Sequence, residues 1–106
     1  MNMNLQKLMK QAQQMQSGLA AAQAKLAEQT LTTETAGGKI KVTATGAGMI
    51  TDLQIDPAIV DPSDVEFLQD LVLKAIQDAI EAAKGMAETE MKKLTGGLGL
   101  PPGMGF

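Results

Sequence analysis

The side chains of this chain that could do chemistry are nine lysines and twelve carboxylates, because histidine, cysteine, arginine and tyrosine are all absent. Without histidine or cysteine, the usual catalytic bases and thiol nucleophiles are missing. Disulfides and thiolate metal sites are excluded as well. The composition therefore argues against an enzyme and predicts no cofactor. It leaves two groups of candidate side chains, an acidic cluster and the lysines.

The acidic cluster comprises Asp56, Asp61, Asp64 and Glu66, in a stretch that contains two prolines. Such carboxylates could bind a divalent cation or act as an acid and a base, although their spacing is not that of an EF-hand loop. Asp56 and Asp61 each precede a proline, and Ser63 is followed three residues later by Glu66. Both are helix-capping patterns. We expect capping to be their main role, and we predict no metal site.

The lysines are unevenly distributed, and this asymmetry is more informative than the formal net charge of −3. Residues 1–27 contain three lysines and no acid, whereas residues 52–81 contain eight acids and one lysine. The net charge alone argues against a polyanionic partner. An acid-free segment can nevertheless attract such a partner locally.

This acid-free segment is predicted to form a long helix over about residues 4–28. Its apolar residues are spaced three and four apart, as in a heptad seam. They are Leu5, Leu8, Ala12, Met15, Leu19, Ala22 and Leu26. Lys7, Lys10, Gln14 and Ser17 form a polar stripe opposite the seam. Such a stripe suits a phosphate backbone. It is also typical of a solvated helix face, and the charges alone favour that second interpretation.

A glycine-bounded β-hairpin is predicted for residues 37–56, with its turn at 46–48. Apolar residues alternate with lysine and threonine along it, so one face of the sheet should be buried. The apolar row consists of Ile40, Val42, Leu53 and Ile55. Ile50 interrupts the alternation, which indicates a bulge or a covered outer face. The threonine-rich segment 29–36 predicts a further strand, giving a three-stranded antiparallel meander.

A second long helix is predicted from near residues 62–64 to about Leu94, with Leu68 and Val72 on the stripe that faces the core. We therefore predict an α+β fold in the order α-β-β-β-α, with one domain over 1–95 and a Gly/Pro-rich tail over 96–106. No targeting signal or membrane-length apolar run is visible, so we expect a cytosolic protein. The core is lean, with two phenylalanines and no tryptophan. For that reason we expect an oligomer.

Four segments of the chain together resemble a known family. They are MKQAQQMQ at 9–16, GGKIKVTATGAGMITDLQIDP at 37–57, VDPSDVEFLQDLVLKAIQDAI at 60–80 and GGLGLPPG at 96–103. In this order they are similar to the YbaB/EbfC nucleoid-associated proteins, over essentially the whole chain. None of the segments is a catalytic motif, so the specificity of the resemblance lies in their combination.

The resemblance implies an intertwined homodimer whose helical arms hold double-stranded DNA like tweezers. It implies a cytosolic, nucleoid-associated protein that affects chromosome organisation, repair or gene expression, with no small-molecule substrate. The candidate DNA contacts it implies are Lys7, Lys10, Gln14 and Lys25 on the first helix and Lys92 and Lys93 on the last. Since arginine is absent, we expect binding to the DNA backbone rather than sequence-specific recognition of bases.

Two other functions stay open at this point. In the first, the helical arms bind another protein and DNA binding is incidental. In the second, which the capping pattern disfavours, Asp61 and Asp64 belong to a metal-dependent hydrolase.

Overall fold

A computed structural model describes residues 2–97 of the chain and the side chains of residues 4–94. The elements in chain order are helix α1 (Asn2–Glu28), strands β1 (Thr30–Thr35), β2 (Ile40–Thr45) and β3 (Ile50–Ile55), a one-turn 3-10 helix (Pro57–Ile59) and helix α2 (Val65–Gly97). The strands form one antiparallel sheet in the order β1-β2-β3. The predicted α-β-β-β-α order and the meander are therefore confirmed.

The register of the sheet explains why its apolar residues share one face. Ile40 lies opposite Ile55, and Val42 lies opposite Leu53, so these four side chains point to the same side. The register then shifts between Thr43 and Ala44. This bulge confirms the prediction made from Ile50, because it pairs Ile50 with Ala44 and returns Ile50 to the inner face.

The core lies between this inner face and one stripe of α2. Its fully buried members are Ile40, Val42, Ala44, Ala75, Ala79 and Ala83. The three alanines of α2 are spaced four residues apart, so they line one side of the helix and let it lie close to the sheet. Val72 packs against this cluster, and Leu68 is half-buried on the same helix.

Leu53 does not lie in the core of the single chain, although its position in the alternating pattern placed it there. Its exposure is 42%, while Ile55, on the same strand, is half-buried. The reason is that α2 packs on β1 and β2 and barely reaches β3. The inner face of the sheet is thus covered on one side and open on the other.

The two glycines of the β2–β3 turn are required for different structural reasons. Gly48 has a φ of 87°, as expected for a tight turn. Gly46 has no positive φ; instead it lies against the end of α1, where an added Cβ would be 2.7 Å from Leu26 Cδ2 and 2.9 Å from the Leu26 carbonyl oxygen. Thr45 is buried, and its hydroxyl accepts hydrogen bonds from the backbone N–H groups of Ala47 and Met49.

Among the described residues, the contacts that anchor helix α1 are made by its C-terminal part. Ala22 and Leu26 are buried, and Gly18 lies so close to Leu94 of α2 that an added Cβ would be 2.8 Å from Leu94 Cδ1. The earlier apolar residues of the seam are exposed; they include Leu5, Leu8, Met15 and Leu19. The described chain is correspondingly elongated, with extents of 74 × 24 × 18 Å. We call residues 4–17 of α1 the arm.

Helix α2 continues to Gly97, three residues past the predicted end at Leu94, so Gly96, the first residue of the predicted tail, is part of the helix. Apart from Gly96 and Gly97, the predicted tail lies outside the described residues. Among the helices of residues 2–97, none combines the length and apolar character that crossing a membrane requires.

Candidate nucleic-acid interface

Lys7, Lys10 and Gln14 all lie on the arm, and all three are exposed. The helical spacing places them on the side of α1 opposite the exposed apolar seam. Within the described part of the chain, neither lysine forms an ion pair. The arm therefore presents two unneutralised positive charges, about one helical turn apart, with an amide beyond them.

Lys25 and Lys93 are brought together by Glu90, which the helical spacing predicts as a neighbour of Lys93 but not of Lys25. Lys25 Nζ donates to Glu90 Oε1 at 3.1 Å, and Lys93 Nζ lies 3.9 Å from Glu90 Oε2. Lys92 is exposed on the same helix. Lys93 and Glu90 lie close together because they are three residues apart on one helix. The Lys25–Glu90 contact joins residues 65 positions apart and depends on how α1 crosses α2.

The six predicted DNA contacts thus do not form one patch. Lys10 and Lys25 are separated by about 22 Å along the helix axis. The arm residues are free of acids, whereas Lys25 and Lys93 share one carboxylate. Beside this ion-paired cluster lies an open groove of about 450 Å³, lined by Gln29, Thr30, Met86, Thr89, Glu90 and Lys93.

The two lysines of the hairpin are both paired with acids. Lys39 Nζ lies 3.4 Å from Asp56, and Lys41 Nζ lies 3.8 Å from Glu34 of β1. Asp56 belongs to the acid-rich segment 52–81. Lys41 is neutralised by a neighbouring strand instead, because Glu34 and Lys41 are directly opposite in the register.

Three of the four acids in the acidic cluster cap local turns or helix starts. Asp56 Oδ1 accepts from the Ala58 N–H at 2.9 Å, and Asp61 Oδ1 accepts from the Ser63 hydroxyl and N–H at 2.7 and 2.9 Å. Asp64, not Ser63, caps α2, since its carboxylate accepts from the Phe67 N–H and the helix begins at Val65. Among the described residues, no group of three or more carboxylates could hold a metal ion.

These hydrogen bonds also stabilise the charged form of two of the carboxyls. The Ala58 N–H, followed by Lys39, lowers the pKa of Asp56 below its ordinary value of 3.8. The Ser63 hydroxyl, followed by the Ser63 N–H, lowers the pKa of Asp61 in the same way. A carboxylate held in its ionised form by its own turn is poorly suited to proton transfer near neutral pH.

Comparison with known proteins gives consistent results. A protein named as a nucleoid-associated protein from Akkermansia muciniphila is 68% identical over 104 residues, covering 98% of this chain and all of that protein. Nucleoid-associated proteins from Ruminiclostridium cellulolyticum and Paramagnetospirillum magneticum are 48% and 51% identical, covering 95% and 94% of this chain and 88% and 94% of those proteins.

The fold has a counterpart among solved structures. The crystal structure of an uncharacterized protein from Helicobacter pylori superimposes with a TM-score of 0.62 at 24% identity, covering 74% of this chain and 90% of that chain. The model of the YbaB/EbfC DNA-binding family matches residues 1–98. This chain belongs to the YbaB/EbfC DNA-binding family.

Proposed function

We propose that this protein is a non-enzymatic, nucleoid-associated protein of the cytoplasm that binds duplex DNA through phosphate contacts from its arm. The observation that carries the proposal is the arm itself. It projects from the body, it has no acid, and Lys7 and Lys10 have no ion-pair partner within the described residues. The family match and the names of the relatives support DNA as the ligand.

The chemistry of the arm favours the DNA backbone over base edges. Lysine contributes a point charge to a phosphate, and Gln14 can add a hydrogen bond, whereas bidentate guanine recognition is mainly a property of arginine. The chain has no arginine. Binding should therefore depend strongly on salt and weakly on DNA sequence.

A homodimer forms part of this proposal, because a wide apolar surface is uncovered in the single chain. Leu73 and Ile80 lie two turns apart on one side of α2 and are exposed, as is Leu53 at the open side of the sheet. Their apolar face adjoins the buried alanine stripe. A second copy of the chain that covered this face would also supply a second arm, so that two arms could contact one duplex.

The test is a titration of a fluorescent duplex with the wild-type protein and with a Lys7→Gln, Lys10→Gln variant over a series of salt concentrations. The slope of log K against log[salt] is negative, and each lysine–phosphate contact that is lost reduces its magnitude by about 0.9. In the variant, the magnitude of the slope should therefore fall by about 1.8 for each arm that contacts the duplex. The matched control is Lys74→Gln with Lys84→Gln, which makes the same change in net charge on α2 and should change the slope much less.

Two results would contradict the proposal. Wild-type binding that does not weaken as salt rises would exclude phosphate contacts as its basis. An equal loss of affinity in the arm variant and in the α2 control would show that net charge matters and the arm does not.

The exposed apolar seam favours a second candidate function, in which the arm binds a helix of another protein. Leu5, Leu8 and Met15 present a heptad-like surface. A partner retained on the immobilised protein after nuclease treatment, and lost on Leu5→Gln with Leu8→Gln, would support this function over DNA binding.

A further inference from the structure

We propose that Glu90 limits the DNA affinity of this protein, because its carboxylate neutralises Lys25 and Lys93 and a DNA phosphate must displace it to reach them. The inference rests on the proposed function, since it concerns how strongly the chain binds phosphates. It assigns to one acid a role in setting that strength.

The geometry of the cluster supports a role for Glu90 towards both lysines at once. One carboxylate oxygen lies 3.1 Å from Lys25 Nζ on α1, and the other lies 3.9 Å from Lys93 Nζ on α2. The Glu90 side chain is only 13% exposed, whereas those of Lys25 and Lys93 are 53% and 67% exposed. The acid therefore lies beneath two lysines whose outer sides face solvent, and the cluster carries one net positive charge instead of two.

A phosphate can approach the ion-paired cluster through the open groove beside it. A phosphate oxygen in this groove would meet the Lys93 ammonium and the polar side chains of Gln29 and Thr30, all of which can donate hydrogen bonds. It would also meet the carboxylate of Glu90, which repels it. Removal of that one charge leaves the donors in place and makes both lysines available to phosphate.

The ion pairs are not required to hold the two helices together. Ion pairs at a protein surface contribute little to stability. The close contact of Gly18 with Leu94 and the burial of Leu26 against Gly46 hold α1 independently of Glu90. Glutamine has nearly the same shape as glutamate, so the Glu90→Gln variant should keep the packing and lose only the charge.

The experiment measures duplex binding by the full-length wild-type, Glu90→Gln and Glu81→Gln proteins across a salt series. Glu81→Gln is the matched control, because it makes the same change in net charge at an exposed position on the same helix, with no candidate DNA contact within one helical turn. Making one or two further phosphate contacts available should steepen the salt slope of Glu90→Gln by about 0.9 to 1.8 and raise its affinity roughly tenfold near 0.1 M salt. Glu81→Gln should change affinity by less than about twofold, because salt screens exposed charges.

A second pair of variants tests the inference without altering Glu90. Lys25→Gln with Lys93→Gln should weaken wild-type binding less than Lys7→Gln with Lys10→Gln does, because Glu90 already offsets one of the two positive charges of the first pair and competes with phosphate for both lysines.

The outcomes distinguish a failure of the proposed function from a failure of the role assigned to Glu90. If the wild-type protein does not bind duplex DNA, the proposed function itself fails. If it binds but Glu90→Gln behaves like Glu81→Gln, or binds more weakly than wild type, the role of Glu90 is refuted. Equal losses from the two lysine pairs would refute it as well.

Discussion

Substitution of Gly46 by alanine should destabilise the protein, although Gly46 lies in a turn without a positive φ. The added Cβ would be 2.7 Å from Leu26 Cδ2, 2.9 Å from the Leu26 carbonyl oxygen and 3.1 Å from Leu26 Cβ. The Leu26 side chain can rotate, but its carbonyl oxygen belongs to the backbone of α1 and cannot. The end of α1 must therefore move away by roughly half an ångström.

The size of the effect follows from two opposing terms. Inserting an atom into a well-packed contact costs about 1–3 kcal/mol. Replacing glycine by alanine recovers about 0.4–1 kcal/mol by restricting the unfolded chain. At the midpoints of these ranges the net loss is about 1.3 kcal/mol. With an unfolding entropy of about 2.1 cal/mol/K per residue, this lowers the Tm of a domain of 106 residues by roughly 6 °C.

The assay is thermal unfolding followed by circular dichroism at one fixed protein concentration, because the Tm of an oligomer depends on concentration. Gly85→Ala is the matched control. Gly85 lies within α2 with nothing within 4 Å of an added Cβ, so this variant should gain about 0.5–1 kcal/mol from helix propensity. A Gly46→Ala protein as stable as wild type would show that α1 does not need its close approach to the sheet.

Two further predictions concern acid stability and assembly. Because the pKa values of Asp56 and Asp61 are lowered in the folded state, the stability they contribute is complete above about pH 4 and is lost as the pH falls through the folded pKa values below 3.8. In Asp56→Asn with Asp61→Asn the fall of Tm between about pH 5 and pH 2 should be shallower; an unchanged profile would assign acid sensitivity to other groups. Each exposed leucine or isoleucine that a partner buries contributes about 1.5–3 kcal/mol, so Leu73→Asp with Ile80→Asp should raise the dimer dissociation constant by about a hundredfold or more in light scattering. Lys74→Asp, at an exposed and ion-paired position, should leave the mass unchanged, and a wild-type protein that scatters as a monomer would remove the dimer from the proposal.

The order of the elements could be predicted because each local pattern agrees with the fold. The period of two in β2, the three-and-four spacing in α1 and the capping acids each determine a local structure, and no tertiary contact overrides them. An irregularity at Ile50 was predictable for the same reason, but the sequence left a bulge and a covered outer face as alternatives, and the register shift between Thr43 and Ala44 shows the bulge.

The features that the sequence could not show are contacts between elements. The exposure of Leu53 depends on how far α2 extends over the sheet, the role of Gly46 depends on where α1 ends, and the Lys25–Glu90 pair depends on the crossing of two helices. Spacing along one strand or helix carries no information about these distances. Of the candidate site, the acid-free arm was therefore predictable, and the neutralisation of Lys25 was not.

The length of the arm sets the scale of any contact with DNA. Over residues 4–17 the arm is about 20 Å long. At about 3.4 Å per base pair this corresponds to roughly six base pairs, little more than half a turn of the duplex. Because this contact is short and the chain has no arginine to recognise bases, a binding site can begin at every base pair of the duplex. Neighbouring binding sites therefore overlap. Under the proposed function, the concentration of the protein rather than the sequence of the DNA would then determine how much of a duplex it covers.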